Sequence, residues 1–252
     1  MRYPLMGLLA LAALASGIAG QTQMAAAQTP TAAGTRKAVV ELYTSQGCSS
    51  CPAADALLQR LAERDDVIAL SLSVDYWDYL GWKDTLASPK FSERQRAYAK
   101  ARGDGAIYTP QMVVNGLAHV NGSNEAQVAK AIEKTAKTAA YVPIALSEEK
   151  GKLVVEAAAS LTGTPPKDAT LWLAVIAKRV QVPITRGENQ GKTVTYYNVV
   201  REMMPIGTWS GKLLSVQLER SSFMQAGTEA CAVLLQQGHA GPIIGAALLK
   251  EF

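Results

Sequence analysis

Histidine and cysteine are scarce in this chain of 252 residues, which holds two of the first and three of the second. His119 and His239 stand far apart beside glycine-containing turns, and no Cys/His cluster has ligand spacing, so a zinc site is not supported. Three cysteines are too few, and odd in number, for a small secreted scaffold stapled by disulfides. The net charge of +4 is spread without a Lys/Arg stripe or basic–aromatic interleaving, which argues against a nucleic-acid partner. Beyond the N-terminal stretch no apolar run is long enough to span a bilayer. Neither a phosphate loop nor an ordered Ser-His-Asp set is present. With 48% hydrophobic and 18% charged residues, the chain is globular and suits one large domain or two ordinary ones.

The N-terminus reads as an export signal. Arg2 precedes an apolar stretch from Leu5 to Ile18, and Ala25-Ala26-Ala27 offers a small-residue cleavage site before Gln28, with cleavage after Gly20 as the alternative. Residues 1–27 are therefore read as a signal peptide and 28–36 as a flexible lead-in. No cysteine precedes Cys48, which excludes a lipoprotein anchor. The expected location is the periplasm or outside the cell, with no stable membrane insertion after signal cleavage. A thiol pair is oxidised there by default unless something keeps it reduced.

The stretch that organises the chain is Gly47-Cys48-Ser49-Ser50-Cys51-Pro52. Ala38 to Tyr43 before it reads as a short buried strand, ended by the turn-forming Thr44 to Gly47. Pro52 suits the first turn of a helix, and Ala54, Leu57, Leu58, Leu61 and Ala62 recur at helical spacing, with Asp55, Gln59, Arg60, Glu63 and Arg64 on the polar face. Both sulfurs thus lie where a strand meets a helix N-terminus, whose free N–H groups and dipole favour an anion. Cys48 is expected as the exposed nucleophile in its thiolate form, and Cys51 as the more buried resolving partner. A C-x-x-C also serves metals, and a structural disulfide is the third reading, although so small a ring removes little chain entropy.

Val67 to Val74 is a second strand, so strand, helix and strand form a right-handed βαβ unit with parallel pairing. Asp75 to Asp84, dense in aromatics including Tyr76 and Trp77, follows at the carboxyl end of that strand, where ligands bind in open α/β sheets. It forms either a wall of an active-site cleft or an aromatic cluster that packs a loop. Ser88-Pro89 opens a helix that Gly103 stops. Met112 to Val114 and Leu117 to Val120 are strands joined at Asn115-Gly116, and Ser123 caps a last helix running from Asn124 to about Thr138.

This order, with C-x-x-C after the first strand and Thr109-Pro110 before the third, resembles the thioredoxin fold. More narrowly, Thr44 to Pro52, Asp75-Tyr76-Trp77-Asp78 and Tyr108-Thr109-Pro110-Gln111 resemble a secreted bacterial family, domain-of-unknown-function family 1223, over the whole mature chain. By position, the resemblance implies Cys48 as the attacking and Cys51 as the resolving cysteine. It also implies Pro110 as the cis-proline facing the disulfide, and Thr109 as the residue whose backbone pairs with an extended substrate. Tyr76 and Trp77 are further substrate-binding candidates. Glu41 falls near the strand position of thioredoxin's buried acid, one residue further from the cysteines. It is a candidate proton relay to Cys51, or a glutamate whose head reaches solvent or a partner. No Trp precedes Cys48 and Ser-Ser replaces Gly-Pro, so the redox direction is open.

From about Tyr141 many short apolar stretches alternate with turn signals: Leu153–Ala159, Thr170–Ala177, Thr193–Val200, Leu213–Leu218, Cys231–Gln236 and Ile243–Leu249. The turns include Gly151, Pro165-Pro166, Gly187, Gly207, Gly211, Gly227 and Gly241-Pro242. The expected fold is an α/β thioredoxin-like domain at 37–140 followed by a mainly antiparallel β-sandwich domain at 141–252. Arg186 to Gly191 and Asn198 to Glu202 are unusually polar, either a docking edge near the cleft or a hairpin tip held by an Arg–Glu pair. Cys231 reads as an inert buried thiol, with electron relay from Cys51 as the alternative.

Two functional classes follow. An exported thiol–disulfide oxidoreductase would need no cofactor beyond the redox-active disulfide Cys48–Cys51, and its partners would be client thiol or disulfide proteins or a redox partner. A periplasmic binding module would hold Cu(I) on the same thiols, with Met112 as a third soft ligand. A non-catalytic interaction protein on the same scaffold is the remaining alternative.

Overall fold

The computed structural model describes residues 36–136, 141–160 and 168–252. The expected signal peptide, nearly all of the lead-in and the Pro165-Pro166 turn lie outside the described residues.

The first half runs β1 (Ala38–Thr44), α1 (Cys51–Ala62), β2 (Val67–Ser73), α2 (Pro89–Arg102), β3 (Gln111–Val114), β4 (Ala118–Asn121) and α3 (Glu125–Ala136). A single 3₁₀ turn, Asp78–Leu80, interrupts the aromatic loop. β1 is parallel to β2 and antiparallel to β3, and β4 is antiparallel to β3. This α/β region resembles a thioredoxin-like fold. Every residue of β1 and β2 is buried, because helices cover both faces. Val40, Leu42 and Ala69 pack with Leu57, Leu58 and Leu61 of α1 and Val128 and Ile132 of α3. Val39, Tyr43, Ile68, Leu70 and Leu72 pack with Phe91 and Tyr98 of α2. Asn124, one residue later than expected, caps α3: its Oδ1 accepts from the Gln127 N–H at 3.0 Å. Asn115 and Gly116, with φ of 51° and 66°, make the β3–β4 turn.

The second half adds β5 (Ile144–Glu149), β6 (Lys152–Ala157), β7 (Ala169–Pro183), β8 (Thr193–Trp209), β9 (Leu214–Glu219), β10 (Ala230–Gln237) and β11 (Ile243–Leu249). The six apolar stretches all form strands, and β5 is an addition. A separate sandwich does not form. One sheet runs through both halves in the order β11-β10-β7-β8-β2-β1-β3-β4, and β5, β6 and β9 make a small antiparallel sheet. The reason lies in β7 and β10, which are apolar on both sides. Leu171, Leu173, Val175, Cys231, Val233 and Leu235 pack under the small sheet. Ala174, Ile176, Ala232 and Leu234 share the core of β2 and α2. A strand buried on both faces needs a layer on each side, and the α/β half supplies one of them.

The junction is the parallel pairing of β8 with β2 at Ser71 and Val199. There Asn198, at φ 48°, donates its side-chain amide to the Ala69 carbonyl at 3.0 Å. Gly207, expected in a turn, lies inside β8, where a Cβ would meet Leu214 and Val216 of β9 at 3.4 and 3.5 Å. Among the described residues no helix is long and apolar enough to cross a membrane.

Candidate active site

The loop between β1 and α1 is a tight backbone turn. The Cys48 N–H donates to the Ser45 carbonyl and the Cys51 N–H to the Cys48 carbonyl, each at 3.2 Å. Gly47 sits in a crowded place, where a Cβ would stand 3.1 Å from Cβ of Trp77. Cys48 and Cys51 are joined in a disulfide, with Cα atoms 5.4 Å apart, and Pro52 lies in the first turn of α1. The Ser50 hydroxyl stands 3.4 Å from the Cys48 sulfur.

Cys48 does not have the exposure expected of it: it is 1% exposed, and Cys51 is fully buried. A set of contacts with the cysteine loop comes from far along the chain. The polar stretch 186–191 is the tip of the β7–β8 hairpin, and it lies on the cysteine loop. Asn189, itself buried, donates both N–H bonds of its side-chain amide, to the Gln46 carbonyl at 3.0 Å and the Cys48 carbonyl at 2.9 Å. The Glu188 carboxylate accepts from the Ser49 N–H at 3.1 Å. These three hydrogen bonds span 139 to 143 residues of sequence, beyond any local pattern. The second polar stretch is elsewhere: Asn198 to Glu202 run within β8, and Glu202 accepts from Gln225. Among the described residues no ion pair joins Arg186 or Arg201 to a glutamate, so the tip is held by Asn189 and Glu188 instead.

The aromatic loop is the opposite wall. The Trp82 indole N–H donates to Gln46 Oε1 at 2.8 Å, and the Asp84 carboxylate accepts from the Gln46 N–H at 2.7 Å. Trp77 touches Gly47 and donates its indole N–H to the Thr109 hydroxyl at 2.8 Å. The Thr109–Pro110 bond is cis. The Pro110 carbonyl accepts from the Gly122 N–H at 3.0 Å, and the Ser123 hydroxyl reaches the Ser50 carbonyl at 3.4 Å. Trp77, Thr109 and Pro110 therefore gather around the cysteine loop. Tyr76 donates to Gln95 of α2 at 3.2 Å and stands beside the Thr109 hydroxyl as well; burial pushes its phenol up to about 12, against the pull of both partners.

Two buried acids separate cleanly. Glu41 faces α2, where the Arg94 guanidinium donates to one oxygen at 2.7 Å and the Tyr98 hydroxyl to the other. Both oxygens are taken in a structural ion pair, so Glu41 reaches a partner rather than the cysteines. Asp55, read from periodicity as a surface residue, is 3% exposed. It lies one helical turn beyond Cys51 on the same face of α1. Burial, opposed by the hydrogen bond from Thr44 at 2.8 Å and helped by the charge of Asp84, raises its carboxyl to about 7. Its Oδ2 is buried without a partner. Burial likewise lifts Asp84 to about 6, against the pull of the Gln46 N–H. The helical pattern could not reveal Asp55, because β8 packs against the flank of α1 that a two-layer picture leaves open.

Cys231 is a free thiol buried in β10, pushed up to about 12 by burial, within the core under the small sheet. Met112 packs in the core of α1 and α3. Among the described residues no group of three or more His, Cys, Asp or Glu gathers as a metal site would. Surface cavities of about 290 and 320 Å³ lie away from the disulfide, one between α2 and β7–β8 beside Arg94 and Trp172, the other beside Glu63 and Tyr197. The cysteine pair itself is buried.

A β1–α1 disulfide in such a sheet, with the second half built onto the same sheet, defines the class. The chain belongs to the family described as Protein of unknown function (DUF1223), whose model matches residues 39–236. It is similar to the crystal structure of a protein from Agrobacterium tumefaciens, with 33% identity and a TM-score of 0.75, covering 86% of this chain and 95% of that one. No curated protein matches it significantly.

Proposed function

We propose that this protein is an exported thiol–disulfide oxidoreductase that works through Cys48 and Cys51. The observation that carries the reading is the disulfide itself, closed between two residues at the junction of β1 and the N-terminus of α1. A thiolate formed there meets free helix amides and the Ser50 hydroxyl. In the reductive direction Cys48 attacks a client disulfide, a mixed disulfide forms, and Cys51 displaces the client thiol; the oxidative direction is the reverse. Asp55, rather than Glu41, is the proton relay to Cys51 in this scheme, since a carboxyl with a value near 7 and a free oxygen can accept the Cys51 proton and return it. Thr109, Pro110, Tyr76 and Trp77 remain the candidates for the client surface. The export signal read at residues 1–27 supports a reaction in the periplasm or beyond, on protein or small-molecule thiols and disulfides. No observation favours the Cu(I) module.

The test is the reduction potential of the pair, read by alkylation mass shift across glutathione ratios. A value between about −120 and −270 mV marks an exchange catalyst and gives the direction, whereas a value below roughly −300 mV makes the disulfide structural and overturns the reading. Cys48→Ser abolishes exchange; turnover that survives it overturns the assignment of the nucleophile.

A further inference from the structure

We propose that the tip of the β7–β8 hairpin is a strap over the disulfide, latched by Asn189, and that exchange at Cys48 waits on its release. The inference rests on the redox reading above and assigns Asn189 as a positioning residue for it.

The tip is attached by hydrogen bonds rather than by apolar burial. From residue 185 to 192, Asn189 alone is buried. Its amide is fully committed: two N–H donors to the Gln46 and Cys48 carbonyls, and Oδ1 accepting the Lys192 ammonium at 2.9 Å. Gly187 leaves room for Trp82, whose Cβ would stand 3.3 Å from an added methyl. The tip also keeps its own shape, with the Gly191 N–H on the Ile184 carbonyl at 2.9 Å and the Gln190 N–H on the Gly187 carbonyl at 3.1 Å. Below it, Val182, Ile184 and Tyr196 pack with Leu86. An anchored stem and a polar, self-contained tip are the properties of a segment that opens locally while the body stays folded. Cys48, at 1% exposure beneath it, is out of reach of an attacking thiol while the tip is down.

Dithiothreitol is the probe. One of its thiolates attacks the Cys48 sulfur, forming a mixed disulfide and releasing Cys51 as a thiolate that takes a proton. Its second thiol then attacks its own bridged sulfur, closes the oxidised ring and frees Cys48, so two electrons pass from dithiothreitol to the protein. The rate is followed by quenching with an alkylating agent and weighing the product. Asn189→Ala should speed reduction about tenfold through the loss of two hydrogen bonds. Lys192→Met, at an exposed position, should speed it about two- to threefold and decides the matter if the first variant does not fold. Forward and reverse rates should rise together, leaving the midpoint potential in place, which a merely structural role would not produce. Rates in both variants within experimental error of the wild type, or slower, overturn the strap. A wild-type potential in the structural range, with faster reduction in the variants, removes the catalyst reading and leaves the strap standing.

Discussion

The two sides of the central strands treat a buried carboxyl in opposite ways. On the α2 side Glu41 meets Arg94 and Tyr98 and becomes part of a closed charge network, with Tyr98 also taking a hydrogen bond from Gln236 of β10. On the α1 side Asp55 has one hydroxyl donor, no cation and one unused oxygen. Both are almost inaccessible. Burial alone therefore does not set a carboxyl's surroundings. The partners differ: a guanidinium and a phenol hold both oxygens of Glu41, while a single hydroxyl holds one oxygen of Asp55.

The contrast can be broken most forcefully at Arg94. Arg94→Met leaves Glu41 buried without its cation and should cost about 3–5 kcal/mol in urea unfolding, without moving the disulfide potential. A shifted potential would mean that the α2 network does reach the cysteines.

Asp55→Asn should do the reverse, slowing exchange near neutral pH about tenfold or more while leaving the fold intact. It should also change the pH dependence of stability. The wild-type carboxyl titrates near 7 when folded, against about 3.9 unfolded. Folding then takes up a proton between those values, so the stability this group contributes is complete below about pH 4 and is lost as the pH rises through 7. The asparagine variant should lose less stability than the wild type between pH 5 and 8, with Asp84 accounting for a remaining slope. Equal slopes would show that Asp55 is not the group.

The smallest effect is expected at Thr44. Thr44→Val removes the hydroxyl that holds Asp55 down, so the carboxyl should titrate higher still, at a cost of about 1 kcal/mol. The pH midpoint of exchange should follow it upward.

Much of the first half was legible because its signals are local. Apolar runs gave β1 and β2, Asn115-Gly116 gave a hairpin, and Cys48, Cys51 and Pro52 marked a strand-to-helix junction. What escaped depends on partners distant in sequence. Asp55 looks like a surface residue until β8 lies against α1. Glu41 looks like a relay until Arg94, 53 positions on, occupies it. Residues 186–191 look like any polar hairpin tip until Asn189 is found on the Cys48 carbonyl. The apolar stretches of the second half were readable as strands, but not their membership of the first sheet, because a strand buried on both faces carries no mark of which layer it joins.

The pairing of β8 with β2 has a consequence for how the chain can be divided. β2 is seven residues long, apolar but for two serines, and buried throughout. Without β8 its outer backbone edge would be an open template for another strand. Residues 37–140 expressed alone would carry that edge into solution, where neighbouring copies could zip together along it. In the whole chain β8 stands at that edge, paired at Ser71 and Val199.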